Sequence, residues 1–149
     1  MAKFNFDLEN VLKVKKIREN QAKASLLSLQ KHYQEEENVL KKMEEDYLYY
    51  QRDLSEKKQT ACELAELKLY ADYFQKALLD IAQQKDVLSE LEQKVSRQRD
   101  ELVTKVKERK ILENLKEKKY LQFKKELLHK EQNFLDEIAT NKYARPSEY

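Results

Sequence analysis

Cys62 is the only thiol of the chain, His32 and His129 are its only imidazoles, and 28 Asp and Glu stand against 30 Lys and Arg in 149 residues. Each group is judged by the company it keeps. A cysteine attacks as its thiolate, which needs a base or a positive environment fixed beside it, and no histidine lies near Cys62. The thiol reads as a small residue at a helix start. His32 and His129 are far apart, with no second His or Cys next to either, whereas a zinc site needs clustered ligands. The carboxylate runs Glu35-Glu36-Glu37 and Glu44-Glu45-Asp46 sit among lysines at helical spacing. They read as solvated faces, since nothing forces them into a pocket that would shift a pKa toward catalysis. The chain has no glycine, so a phosphate-cradling glycine loop cannot form. The expectation is a protein that is not an enzyme, with no catalytic residues, no metal site and no cofactor.

Composition says what carries these groups. Charged residues make up 39% of the chain, there is one proline (Pro146) and no tryptophan, and the mean hydropathy is −0.96. With heptad spacing this is the composition of a long helical rod. Ala22, Leu26, Leu29, Tyr33, Glu36, Leu40, Met43, Tyr47, Tyr50 and Leu54 alternate +4 and +3, and only Glu36 breaks the apolar row. Tyr70, Phe74, Ala77, Ile81, Gln84, Leu88, Leu91 and Val95 repeat the pattern, with Gln84 the only polar member. Such spacing keeps one stripe against a partner helix.

Between the stripes lies Ser55–Glu63, where Thr60 and Glu63 match a capping box. An antiparallel hairpin turning near residues 58 and 59 pairs residues whose numbers sum to about 117. That rule sets Tyr47 on Tyr70, Met43 on Phe74, Leu40 on Ala77, Leu29 on Leu88, Leu26 on Leu91 and Ala22 on Val95. The fold class expected is all-α: an antiparallel two-helix coiled-coil hairpin with a longer second helix. A single unbent helix in a parallel dimer is the alternative left open.

As one domain over 1–149, the expected bounds are helix one about 6–55, with Asn5 as N-cap, turn about 56–60, helix two about 61–139, and a disordered tail at 140–149 closed by Pro146. At 1.5 Å per residue the helices span roughly 75 and 120 Å. Residues beyond about Leu112 then lack a partner in the hairpin, and a new apolar phase starts at Tyr120, Phe123, Leu127, Phe134 and Ile138. An apolar stripe that its own chain does not cover is a docking surface. Near Lys15 and Arg18 the stripe turns basic, opposite Leu102 and Arg99 by the sum rule, so the hairpin is free to splay there.

Net charge is +2 and points to no partner class. Arg97–Lys130 holds twelve Lys or Arg against six Asp or Glu, but acids are interspersed and stacking aromatics sparse, so no nucleic acid is expected. No apolar run approaches a membrane span and no signal peptide is legible, which places the chain in the cytoplasm. Tyr47, Tyr49, Tyr50, Tyr70, Tyr73 and Phe74 crowd the bend end. Tyr49 and Tyr73 fall off the seam, so a protein-binding patch and self-coverage of the seam are both open.

Four blocks in order resemble one family. Phe6-Asp7-Leu8-Glu9-Asn10-Val11-Leu12-Lys13, Leu69 to Ile81, Glu108 to Lys118, and Glu131 to Ala139 are similar to the opening, post-turn, return-helix and closing motifs of FliJ, a soluble component of the bacterial flagellar protein export apparatus. The resemblance implies a two-helix coiled coil similar to the central stalk of rotary ATP synthases. It implies insertion of the end with both termini into the hexameric export ATPase, FliI, contact of the other part with the export gate protein, FlhA, and binding of empty export chaperones. Carried onto this chain, the ATPase-ring candidates are Lys13, Lys15, Lys16, Arg18, Arg109 and Lys110, and the gate candidates Tyr49, Tyr50, Tyr73 and Ala77. The expected place is the cytoplasm, peripheral to the inner membrane at the flagellar base. The alternatives are the stalk protein of a virulence injectisome and a structural homodimeric rod.

Overall fold

A computed structural model describes residues 2–144. Two helices follow one another, α1 over Glu9–Gln59 and α2 over Leu64–Ala144, and they pack against each other as an all-α helical hairpin. The chain divides into a bend unit, Asn20–Val103, and a terminal unit, Met1–Glu19 with Thr104–Tyr149.

In the bend unit the core is a single seam. Ala22, Ile81, Leu88, Leu91 and Val95 are buried, while Leu26, Leu29, Tyr33, Leu40, Met43, Tyr47, Phe74 and Ala77 are half-buried. These are the stripe positions, so periodicity chose the faces correctly. The register differs from expectation. Tyr47 packs edge-on against Phe74 at 5.3 Å between ring centroids. Gln84 Nε2 donates to Glu36 Oε2 at 2.5 Å and to the Glu36 carbonyl at 3.0 Å. Gln98 Nε2 donates to the Ala22 carbonyl at 3.4 Å. Partner numbers here sum to about 120 or 121, half a heptad from the expected 117. The physical reason is the polar pair. The observed register lets the one polar residue of each stripe satisfy the other, whereas the expected one sets Glu36 on Ile81 and Gln84 on Tyr33 and leaves both without that bond.

The turn moves with the register. It occupies Thr60–Glu63 rather than 56–60. Thr60 does not cap α2. Its hydroxyl donates backward to the carbonyls of Lys57 and Glu56, at 3.3 and 3.5 Å, and its N–H donates to the Lys57 carbonyl at 3.2 Å. These bonds satisfy the open carbonyls at the end of α1, where Lys57 and Lys58 also suit the helix dipole. The Glu63 carbonyl accepts from Leu67 N–H at 3.2 Å, and α2 begins after it. No non-glycine residue among those described has positive φ, so the glycine-free chain turns without a left-handed cap.

In the terminal unit the helix starts at Glu9, not Phe6, and Asn5 is not its cap. The lead before it is non-helical because its aromatics are used for packing. Phe6 is buried and Leu12 is only 1% exposed, while Phe4 stacks at 5.3 Å on Tyr120 and 5.5 Å on Phe123. Self-coverage of α2 therefore runs to about Leu127, well past Leu112, and only from Leu128 on is every described residue exposed. The basic stretch does not splay. Lys15 pairs with Glu108 at 3.0 Å rather than meeting Leu102. At the far end α2 continues through 140–144, with Thr140 Oγ1 donating to the Asp136 carbonyl at 2.8 Å. The rest of the expected tail, Pro146 included, lies outside the described residues.

Candidate partner-binding surfaces

Two surfaces, one in each unit, carry the side chains singled out in the sequence. In the bend unit the aromatics form a continuous chain. Tyr49 meets Tyr50 at 5.3 Å, Tyr50 meets Tyr73 at 4.8 Å, and Tyr73 meets Phe74 at 5.6 Å, each edge to face. Edge-to-face stacking holds the rings in fixed orientations. Tyr49 remains 65% exposed and Tyr50 sits at the seam's rim, while Tyr73 and Ala77 are half-buried. The structure thus brings Tyr49, Tyr50 and Tyr73 into one patch.

Tyr73 divides two open clefts. One, of about 440 Å³, is lined by Tyr50, Lys57, Glu66, Leu69, Tyr70 and Tyr73. The other, of about 210 Å³, is lined by Met43, Asp46, Tyr73, Lys76, Ala77 and Asp80. Desolvation raises the Tyr73 phenol above its ordinary pKa, with the nearby Asp46 charge adding to it. Tyr70 is pinned, its hydroxyl donating to Asp53 Oδ2 at 2.5 Å with Lys57 over its ring. Packing alone had accounted for Tyr70, and the acids rimming the patch (Asp46, Asp53, Glu66 and Asp80) were missed. Their positions follow from the tertiary register, which no local spacing encodes.

Cys62 lies in the turn, half-buried. Desolvation, then its contact with Glu66, pushes the thiol above its ordinary pKa, which suppresses the thiolate. Among the described residues no group of three or more His, Cys, Asp or Glu is placed to hold a metal ion.

In the terminal unit the seam is ionic as much as apolar. Arg109 donates to the buried Glu19 and, at 2.7 Å, to Glu113. Lys16 stands 3.9 Å from Glu113, and Lys116 pairs with Glu9 at 2.7 Å. Of the expected ring-facing cations, Lys15, Lys16 and Arg109 are engaged in pairs across the hairpin. Lys13, Arg18 and Lys110 are exposed, with Lys13 and Arg18 attracting Glu9 and Glu108 only at longer range. Beyond Leu127, α2 presents Leu128, Phe134, Leu135, Ile138 and Tyr143 to solvent. Phe4, whose stacking ends the covered part of this face, carried no signal in the sequence beyond being apolar. Among the described residues no helix is long and apolar enough to cross a membrane.

No curated protein and no solved structure matches the chain. A family model described as Flagellar FliJ protein matches residues 4–148. That span takes in the lead with Phe4, both helices, the aromatic patch and the exposed end of α2, so the chain belongs to the FliJ family and is a component of the flagellar export apparatus.

Proposed function

We propose that this protein is a stalk-like coupling factor of the flagellar export ATPase complex that promotes assembly of the ATPase ring, links it to the export gate and escorts empty export chaperones. The observation that carries this is the exposed apolar end of α2, from Leu128 to Tyr143, within a family match over residues 4–148. A helix with an uncovered apolar face gains stability when a partner covers it.

On this reading the terminal unit enters the hexameric ATPase, FliI. The exposed Lys13, Arg18 and Lys110 face its acidic groups, while Lys15, Lys16 and Arg109 hold the two helices together so that the unit enters as one body. The aromatic patch of Tyr49, Tyr50 and Tyr73, with Ala77 in the adjoining cleft, meets the export gate protein, FlhA. Rigid exposed aromatics lose little side-chain entropy on binding and commonly anchor interfaces. The catalysis belongs to the ATPase, and the protein works at the cytoplasmic side of the inner membrane at the flagellar base. The test is addition of the full chain to the cognate ATPase. The hexamer population and turnover both rise with the full chain, and removal of residues 128–149 abolishes the rise. No change in either at saturating full chain refutes the coupling role.

A further inference from the structure

The bend unit contains a capping motif that the fold leaves unused and a stripe that fits itself in two ways. Thr60 and Glu63 have capping-box spacing, yet Thr60 bonds backward to α1 and α2 starts at Leu64. Separately, the observed register pairs Tyr47 with Phe74 and Glu36 with Gln84. A register displaced by half a heptad pairs Tyr47 with Tyr70, Leu40 with Ala77 and Ala22 with Val95, all of them stripe positions too. A repeat with apolar positions about 3.5 residues apart matches itself again after sliding by one such step, about 5 Å along the axis.

The turn permits the slide. No glycine or proline marks its place, and no residue in it is held at positive φ. If Lys57–Gln59 leave α1 while Ala61, Cys62 and Glu63 join α2, Thr60 becomes the N-cap and Glu63 its N3 partner, which is the capping box. The displaced register loses both bonds from Gln84 to Glu36 and the Tyr70–Asp53 bond, and this keeps the observed register as the ground state. The Tyr50–Tyr73 contact exists only in the ground register, so the two registers present different aromatic surfaces.

We propose that the Asn20–Val103 hairpin is a two-register switch, in which the Glu36–Gln84 pair holds one register and the Thr60–Glu63 capping box stabilises a second, half a heptad away. A partner that reads the aromatic patch binds the two unequally and thereby shifts their populations. This holds whether or not the chain couples to an ATPase.

Disulfide trapping in a Cys62→Ser background tests it. Leu40→Cys with Ile81→Cys reports the observed register, and Leu40→Cys with Ala77→Cys the displaced one, because a disulfide needs β-carbons about 3.5–4.5 Å apart. The ratio of displaced to observed cross-linking rates is then measured in two further backgrounds. Glu36→Leu with Gln84→Leu, which completes the apolar stripe and so keeps the hairpin folded, raises the ratio at least about tenfold, the size expected from losing hydrogen bonds to a charged group. Glu63→Ala, which removes the capping-box carboxylate of the second register and leaves the Thr60 bonds to α1 in place, lowers it at least about threefold. A ratio unchanged by the leucine pair overturns the proposal. So does a rise with the leucine pair that is accompanied by no fall with Glu63→Ala, since that reports loosening without a second register.

Discussion

Leu12→Ala isolates what holds the terminal unit together. Leu12 is 1% exposed, and it lines a recess shared with Phe4, Lys16, Glu113, Lys116 and Tyr120. The substitution removes three carbons, worth roughly 2 kcal/mol at about 0.8 kcal/mol per buried methylene. A residual cavity adds to that, for a total of about 3 kcal/mol, near the low end for buried leucines because a thin hairpin collapses more easily than a globular core. Leu135→Ala on the same unit is the control. Leu135 is 64% exposed, so its loss costs less than about 0.5 kcal/mol. Urea unfolding followed by circular dichroism at 222 nm gives both values through the linear extrapolation. Amide hydrogen exchange gives the location. In Leu12→Ala, amides of 9–19 and 104–123 lose protection while those of the Ile81–Val95 seam keep theirs. If Leu12→Ala costs no more than Leu135→Ala, the lead with Phe4 and Phe6 does not seal the unit in solution, and the extended self-coverage of α2 is wrong.

Two further outcomes follow from the ion pairs and the aromatic patch. The hydrogen bond from Lys116 holds the Glu9 carboxyl below its ordinary pKa of 4.5, and the bond from Lys15 does the same for Glu108. Carboxyls depressed in the folded state contribute stability that is fully present above about pH 4.5 and is lost as pH falls through the folded values. Carboxyl-carbon NMR titrations should therefore show both groups low, with Lys116→Met returning Glu9 and Lys15→Met returning Glu108 toward 4.5. An unaltered titration means that the pairs do not persist in water. On the proposed gate-binding role, Tyr73→Ala weakens binding to the export gate by about tenfold, a modest hot-spot loss, and leaves helicity intact. Equal affinity measured by calorimetry assigns the aromatic patch to seam packing instead.

Much of the architecture is set by local sequence. The +4, +3 rows from Ala22 to Leu54 and from Tyr70 to Val95 fix which face of each helix is covered, because side-chain periodicity is a property of the helix itself. The glycine-free, charge-rich composition combined with heptad spacing favours long helices, and four motif blocks carry the family. A heptad stripe is degenerate to half-repeat slides, however, and apolar matching by itself cannot choose between them. The choice was nonetheless present in the sequence as Glu36 and Gln84, one polar residue per stripe, which a rule matching breaks as well as apolar positions would have paired.

What the tertiary structure alone decided lies where contacts join residues far apart in sequence. Nothing local tells that Phe4 covers Tyr120 and Phe123, that Arg109 reaches Glu19, or that Tyr73 stands between two clefts rimmed by acids. Nor does spacing reveal that Thr60 serves the helix before it rather than the one after, because its hydroxyl suits either role until the register places the turn. Helical faces follow from spacings of three and four residues, whereas these contacts depend on how far one helix has slid along the other, a quantity summed over the whole seam.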